Sequence, residues 1–178
     1  MDNAYPDSVA AWAALLLVHN RRLPATRVDQ RVYYGLSYDR SLFEHFGRFR
    51  EDLRAGEDTE FNGRFEGRRN TVLATDAVTG HRYPTEFRPM LADAFRRGRL
   101  QARLQGAIAG RRPRGFRVAL RGPRNALASL MVSLRSPRPQ RERLLRALPL
   151  AVAAGIVYSC GALTARAADP VERSSRLA

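Results

Sequence analysis

The side chains that most often do chemistry are few in this chain and badly placed for it. His19, His45 and His81 lie far apart, and none has a second histidine one helical turn away. Glu44-His45 lacks the partner that a zinc-binding helix needs. Glu51-Asp52 and Glu57-Asp58 are neighbours in sequence, the pattern of a solvated helix end rather than of two carboxylates facing one substrate. No Gly-rich phosphate loop and no Gly-x-Ser-x-Gly elbow occurs. Cys160 is the single cysteine, so no intramolecular disulfide and no cysteine-based zinc site can form. It sits in an apolar run, where a thiol is a small buried hydrophobe. These residues lead to the expectation of a protein that is not an enzyme and carries no cofactor or metal.

Arginine is the residue with something to do. All 31 basic residues are Arg, against 17 acids, for a net charge of +14. Arg holds phosphate and carboxylate with two donors at once, although a GC-rich genome would also enrich it throughout. The charge is not spread evenly. Residues 1–90 hold 13 Arg and 13 acids, whereas residues 91–146 hold 15 Arg against only Asp93 and Glu142. Almost the whole imbalance is therefore in one segment, and that segment ends where a long apolar run begins.

The elements that must carry these residues follow from periodicity. Val9–Val18 is an apolar stretch preceded by Asp2 and Asp7, the wrong charge for a secretory signal, and too short to span a bilayer. It is expected to be a buried amphipathic helix capped by Ser8 or Asp7. Val32-Tyr33-Tyr34 is β-like. A helix capped by Ser37 or Asp39 then runs toward Gly56, with Leu42, Phe46, Phe49 and Leu53 as a packing face. Residues 61–87 suggest short strands around a turn at Thr79-Gly80. Residues 89–109 suggest a helix, Phe116–Leu120 a short strand, and Asn125 the cap of another helix with Leu127, Leu130, Met131 and Leu134 along one side. Pro137 and Pro139 end that helix.

The run from Ala147 to Ala165 contains no charge. A helix from about Glu142 to Ala168 would carry Pro149 near its start, either opening it or kinking it. From Pro149 to Ala165 the length is about 25 Å at about 1.5 Å per residue, and counting from Leu144, with Arg146 snorkelling, brings it to the roughly 30 Å of a hydrocarbon core. Ala147, Ala151, Gly155 and Ser159 recur every four residues and form a small-residue stripe of the kind that lets membrane helices approach closely. Arg135, Arg138, Arg141, Arg143 and Arg146 precede the run, which by the positive-inside bias puts the N-terminal body on the cytoplasmic or matrix side.

The expected fold is mainly α with a minor β-hairpin. It comprises a charge-neutral contact domain over 1–90, an Arg-rich segment over 91–146, a transmembrane helix over 147–166 and a short polar tail over 167–178. The expected function is that of a non-catalytic accessory subunit in a multisubunit membrane complex, with the mitochondrial inner membrane as its setting. The small-residue stripe would pack against other subunits. Arg111, Arg112 and Arg114, with the five Arg before the run, would meet neighbouring subunits or anionic lipid phosphates, cardiolipin among them. An Arg-rich nucleic-acid partner of ribosomal type is the alternative, although only Phe95 and Phe116 are interleaved with those Arg as stacking platforms. A tail-anchored interaction protein is a third.

Overall fold

A computed structural model of the chain describes residues 2–20, 23, 37–53, 57–65, 80–108 and 115–165. Those residues are mostly helical. In order they form β1 (Asp2–Asn3), α1 (Val9–His19), α2 (Arg40–Phe46), α3 (Glu57–Arg64), β2 (Gly80–His81), α4 (Phe87–Ile108), α5 (Gly115–Ala119), α6 (Arg121–Arg135) and α7 (Arg138–Leu163). The chain divides into two compact units, one of residues 1–32 with 79–178 and one of residues 33–78. The neutral ninety residues are thus not one domain, because α1 packs with the Arg-rich helices instead.

In the larger unit, α1 starts where the Ser8 hydroxyl accepts the Ala11 amide at 3.2 Å, a side-chain cap for an orphan donor. The sequence suggests an amphipathic helix here, but α1 has no polar face. Residues 10–17 are all buried, as an all-apolar helix must be in a folded unit. Helix α4 is the amphipathic one. Met90, Ala94, Gly98 and Ala102 recur every four residues and are buried, while Arg88 and Arg96 are exposed. Asp93 sits between Arg96 and Arg97 and pairs with both.

Three sequence expectations change here. Phe116–Leu120 is not a strand: residues 115–119 are helical, and the Leu120 amide donates to the Phe116 carbonyl at 3.2 Å. Val118 and Ala119 are buried against α7, and as a helix the segment satisfies its backbone locally. Asn125 is not a cap. Helix α6 begins at Arg121, and Asn125 lies inside it with its amide donating to the Leu17 carbonyl of α1 at 3.1 Å. The expected hairpin is also absent among the described residues. Gly80–His81 pairs in parallel with Asp2–Asn3, and each of these strands leads into a helix of the same unit. The strand expected at residues 32–34 lies outside the described residues.

Helix α7 is one element of 26 residues with Pro149 inside it, opened by Pro137 and Pro139. Proline suits the first turn, where its missing N–H would have no partner. Helix α7 is the hub of the unit and packs on α1, α4, α5 and α6. Gly98 of α4 abuts Tyr158 and Ala162, and Gly161 abuts Phe95. Gly115 meets Ala162 and Leu163, whereas Gly122 meets Gly155 and Ser159, so α5 and α6 run antiparallel to α7.

The smaller unit is built on aromatic rings. Tyr38, Phe43, Phe49 and Phe61 pack with centroids 4.9–5.8 Å apart, mostly edge to face. Asp39 caps α2, and the helix ends at Gly47, whose φ of 79° suits glycine. Phe49 therefore reaches the cluster from beyond the helix. The expected face of Leu42, Phe46, Phe49 and Leu53 on one helix is not what forms: only Phe49 of the four joins this cluster, because α2 ends at Phe46, and Phe46 packs on Phe65 instead. Arg64 ties the ends by donating to the Phe46 carbonyl at 2.8 Å and the Arg48 carbonyl at 2.9 Å.

Candidate functional site

The residues singled out by sequence are brought together on two adjacent helices. Ala147 and Ala151 are buried in the cluster that contains α1. Gly155 is buried against Gly122, whose carbonyl oxygen would lie 3.3 Å from a Cβ at position 155. The Ser159 hydroxyl reaches the Ala119 carbonyl at 2.7 Å and the Gly155 carbonyl at 2.9 Å. The stripe therefore lets helices approach closely, as small residues do, and its neighbours are α1, α5 and α6 of the same chain.

The opposite edge of α7 carries the large residues. Leu145, Val152, Ile156 and Leu163 are exposed, Ile156 at 62%. At about 100° per residue these four fall within a narrow stripe, about half a turn from Ala147, Ala151 and Ala154. The inward side mixes these alanines with the fully buried Leu144, and Cys160, expected to be buried, is exposed.

Helix α6 also turns large residues outward. Its buried residues are Gly122, Ser129, Val132 and Ser133. Ser129 sits between the Leu16 carbonyl at 3.0 Å and the Asn125 carbonyl at 2.6 Å, and it accepts from the Asn20 side chain at 3.2 Å. Ser133 and Ser136 bond back to the carbonyls four residues earlier. Leu127, Met131 and Leu134, which the sequence placed along one side, are on the outside, and Leu127 is 64% exposed.

Of the Arg residues, Arg135, Arg138, Arg143 and Arg146 are exposed and Arg141 is half-buried. Arg138 faces Glu142 at 3.5 Å, an exposed pair of small energetic weight. Burial pushes the Tyr158 hydroxyl above its ordinary range, and the Arg121 charge beside it opposes that shift. Nε of Arg99 and Nε of Arg103 are buried without an acceptor. Arg111, Arg112 and Arg114 lie outside the described residues.

Sequence reasoning missed one cluster. His19 Nδ1 lies 2.6 Å from the Tyr83 hydroxyl, and the His81 ring stacks on Tyr83 with centroids 4.4 Å apart. This joins the end of α1 to the segment after β2. Nothing local signals it, because His19 and Tyr83 are 64 residues apart. Among the described residues no three His, Cys, Asp or Glu side chains are grouped as a metal site.

No protein-family model matches this chain, no curated protein sequence matches it, and no solved structure matches its fold.

Proposed function

We propose that the protein is a non-catalytic structural subunit of a multisubunit membrane complex, attached to the membrane through the outward apolar edge of α7. The observation that carries this is α7 itself. It is long and apolar enough to cross a membrane, and only 39% of its most apolar eighteen-residue window is buried by the rest of the chain. A soluble core helix would cover far more of such a stretch. Small residues at the close helix contacts, with Val152, Ile156 and Leu163 left outside, suit surroundings as apolar as the interior.

The attachment we propose is from one side. Gly98 and Gly122 hold α4 and α6 against the middle and later part of α7, near Gly155 and Tyr158. An upright span would carry Arg96, Arg97, Arg121 and Arg124 toward mid-depth. At roughly 2.5–3.5 kcal/mol each, four such residues cost on the order of 10 kcal/mol. The half-exposed Leu145, Val152, Ile156 and Leu163 would return about 1 kcal/mol each. The charges win while α4 and α6 stay docked. A membrane rich in anionic lipid, such as an energy-transducing inner membrane, suits the Arg-rich side.

Native-gel migration after mild detergent solubilisation tests the subunit role. Migration in a large complex that survives nuclease is the expected result. Migration as the free chain would overturn the subunit role, and a particle that nuclease collapses would turn the assignment toward the nucleic-acid alternative.

A further inference from the structure

Helix α6 sets a question that its sequence pattern alone conceals. Gly122, Asn125, Ser129 and Ser133 lie on one side of the wheel, and Leu127, Met131 and Leu134 lie on the other. A helix at the surface of a water-soluble unit turns the second side inward. Here the polar side is inward, and it is fixed there by hydrogen bonds from Asn125 and Ser129 to the carbonyls of Leu17 and Leu16. The stripe continues beyond the start of α6 through Leu120 to Phe116, which is 70% exposed.

The direction of this stripe is determined by α1. On α6, the residues bonded to α1 are opposite Leu127, Met131 and Leu134. On α7, the alanines clustered with α1 are opposite Leu145, Val152, Ile156 and Leu163. Both stripes therefore point away from α1, on two neighbouring antiparallel helices. Exposed Arg117, Arg124 and Arg135 border them. No acid occurs anywhere from residue 94 to residue 141.

We infer that this two-helix face is a seat for one leaflet of anionic lipid, with α6 and α7 lying in the plane of the membrane, leucines in the acyl boundary and Arg117, Arg124 and Arg135 on the phosphates. An apolar centre flanked by arginine, with Glu142 at the start of α7 as its one acid and that acid paired with Arg138, is the composition of an interfacial helix. A partner helix would instead need a groove. Hollows among the described residues lie elsewhere, around Tyr5–Ala10 with Phe87 and around Tyr83–Pro89. This inference rests on the membrane-bound subunit proposed above, and it adds the surface, its orientation and the lipid class.

The test is flotation of the full chain with vesicles of phosphatidylcholine alone and of phosphatidylcholine with phosphatidylserine. The wild type should float with both and more completely with the anionic set. Leu127→Asp with Met131→Asp should weaken partitioning at least a hundredfold, about tenfold for each apolar side chain taken out of the acyl boundary. Arg117→Gln, Arg124→Gln and Arg135→Gln together should reduce binding to the anionic vesicles about a hundredfold, with little change on the neutral ones, and added salt should mimic this effect. If the aspartate pair lowers the melting temperature, Leu127→Gln with Met131→Gln, checked for an unchanged melt, replaces it. Variants that float like the wild type overturn the seat and leave the membrane reading intact. A wild type that floats with neither vesicle overturns both.

Discussion

Gly98→Ala is expected to loosen the whole larger unit, although alanine is the better helix former. A Cβ at position 98 would overlap the Tyr158 carbonyl oxygen and lie 2.9 Å from its carbon and 3.0 Å from the Ala162 nitrogen. These are backbone atoms inside a helix, so no side chain can swing aside. Ordinary contact would be restored only if α4 retreated by roughly 1 Å, which strains an interface packed at crystal-like density. Overpacking of this kind costs about 1–3 kcal/mol and more where backbone must move, against a propensity gain of about 1 kcal/mol. A net loss of about 2 kcal/mol lowers the melting temperature of a unit this size by roughly 4–8 °C. Gly161→Ala meets the Phe95 carbonyl in the same way, and the pair should be less than additive because one separation relieves both. Thermal unfolding by circular dichroism reads all three. A Gly98→Ala variant that melts at or above the wild-type temperature would refute the close α4–α7 approach on which the unit's arrangement depends.

Other consequences are simpler. Gly63, on α3, has nothing within 4 Å of a Cβ, so Gly63→Ala should raise stability by up to about 1 kcal/mol, measured by urea unfolding. Ser129→Ala removes the link to the Leu16 carbonyl and one acceptor for Asn20. It should cost about 1–2 kcal/mol in the same assay. Hydrogen bonds from the Ser41 hydroxyl and amide hold the Asp39 carboxyl below its ordinary range. The α2 cap is therefore complete above the unfolded-state pKa and is lost as pH falls through the lower folded value. The Ser41 amide resonance followed by NMR should titrate below the usual aspartate range, and titration at or above it would contradict the cap.

What could be read from the sequence is instructive residue by residue. Helix α4 is legible in its apolar periodicity and α1 in its apolar run and Ser8 cap, although the run does not show that α1 lacks a polar face. Pro137 likewise marked the break between α6 and α7. Asn125 misled because capping residues also bond to carbonyls across a helix interface, and only the tertiary partner at Leu17 distinguishes the two roles. Phe116–Leu120 misled because five apolar-leaning residues carry no period that separates strand from helix. The stripe on α6 was visible, but not the side it takes. Leucines spaced at helical period define a direction on the helix, and whether that direction is inward depends on what the opposite face can bond. On α6 the serine and glycine face fits closely against α1 and α7, so the leucines are turned out. The His19–Tyr83–His81 contact was beyond reach, since it depends on two distant segments meeting.

The central claim is attachment to a membrane from one side. Its most direct test uses the single native cysteine as a blank. In a Cys160→Ser background, Tyr5→Cys and Ala178→Cys variants are placed in sealed vesicles, recovered by flotation and treated with a membrane-impermeant maleimide. One-sided attachment predicts that the protein floats and that both positions are modified from the same side. Modification from opposite sides would mean that α7 crosses the bilayer, and a protein left at the bottom of the gradient would mean that it is not held there at all.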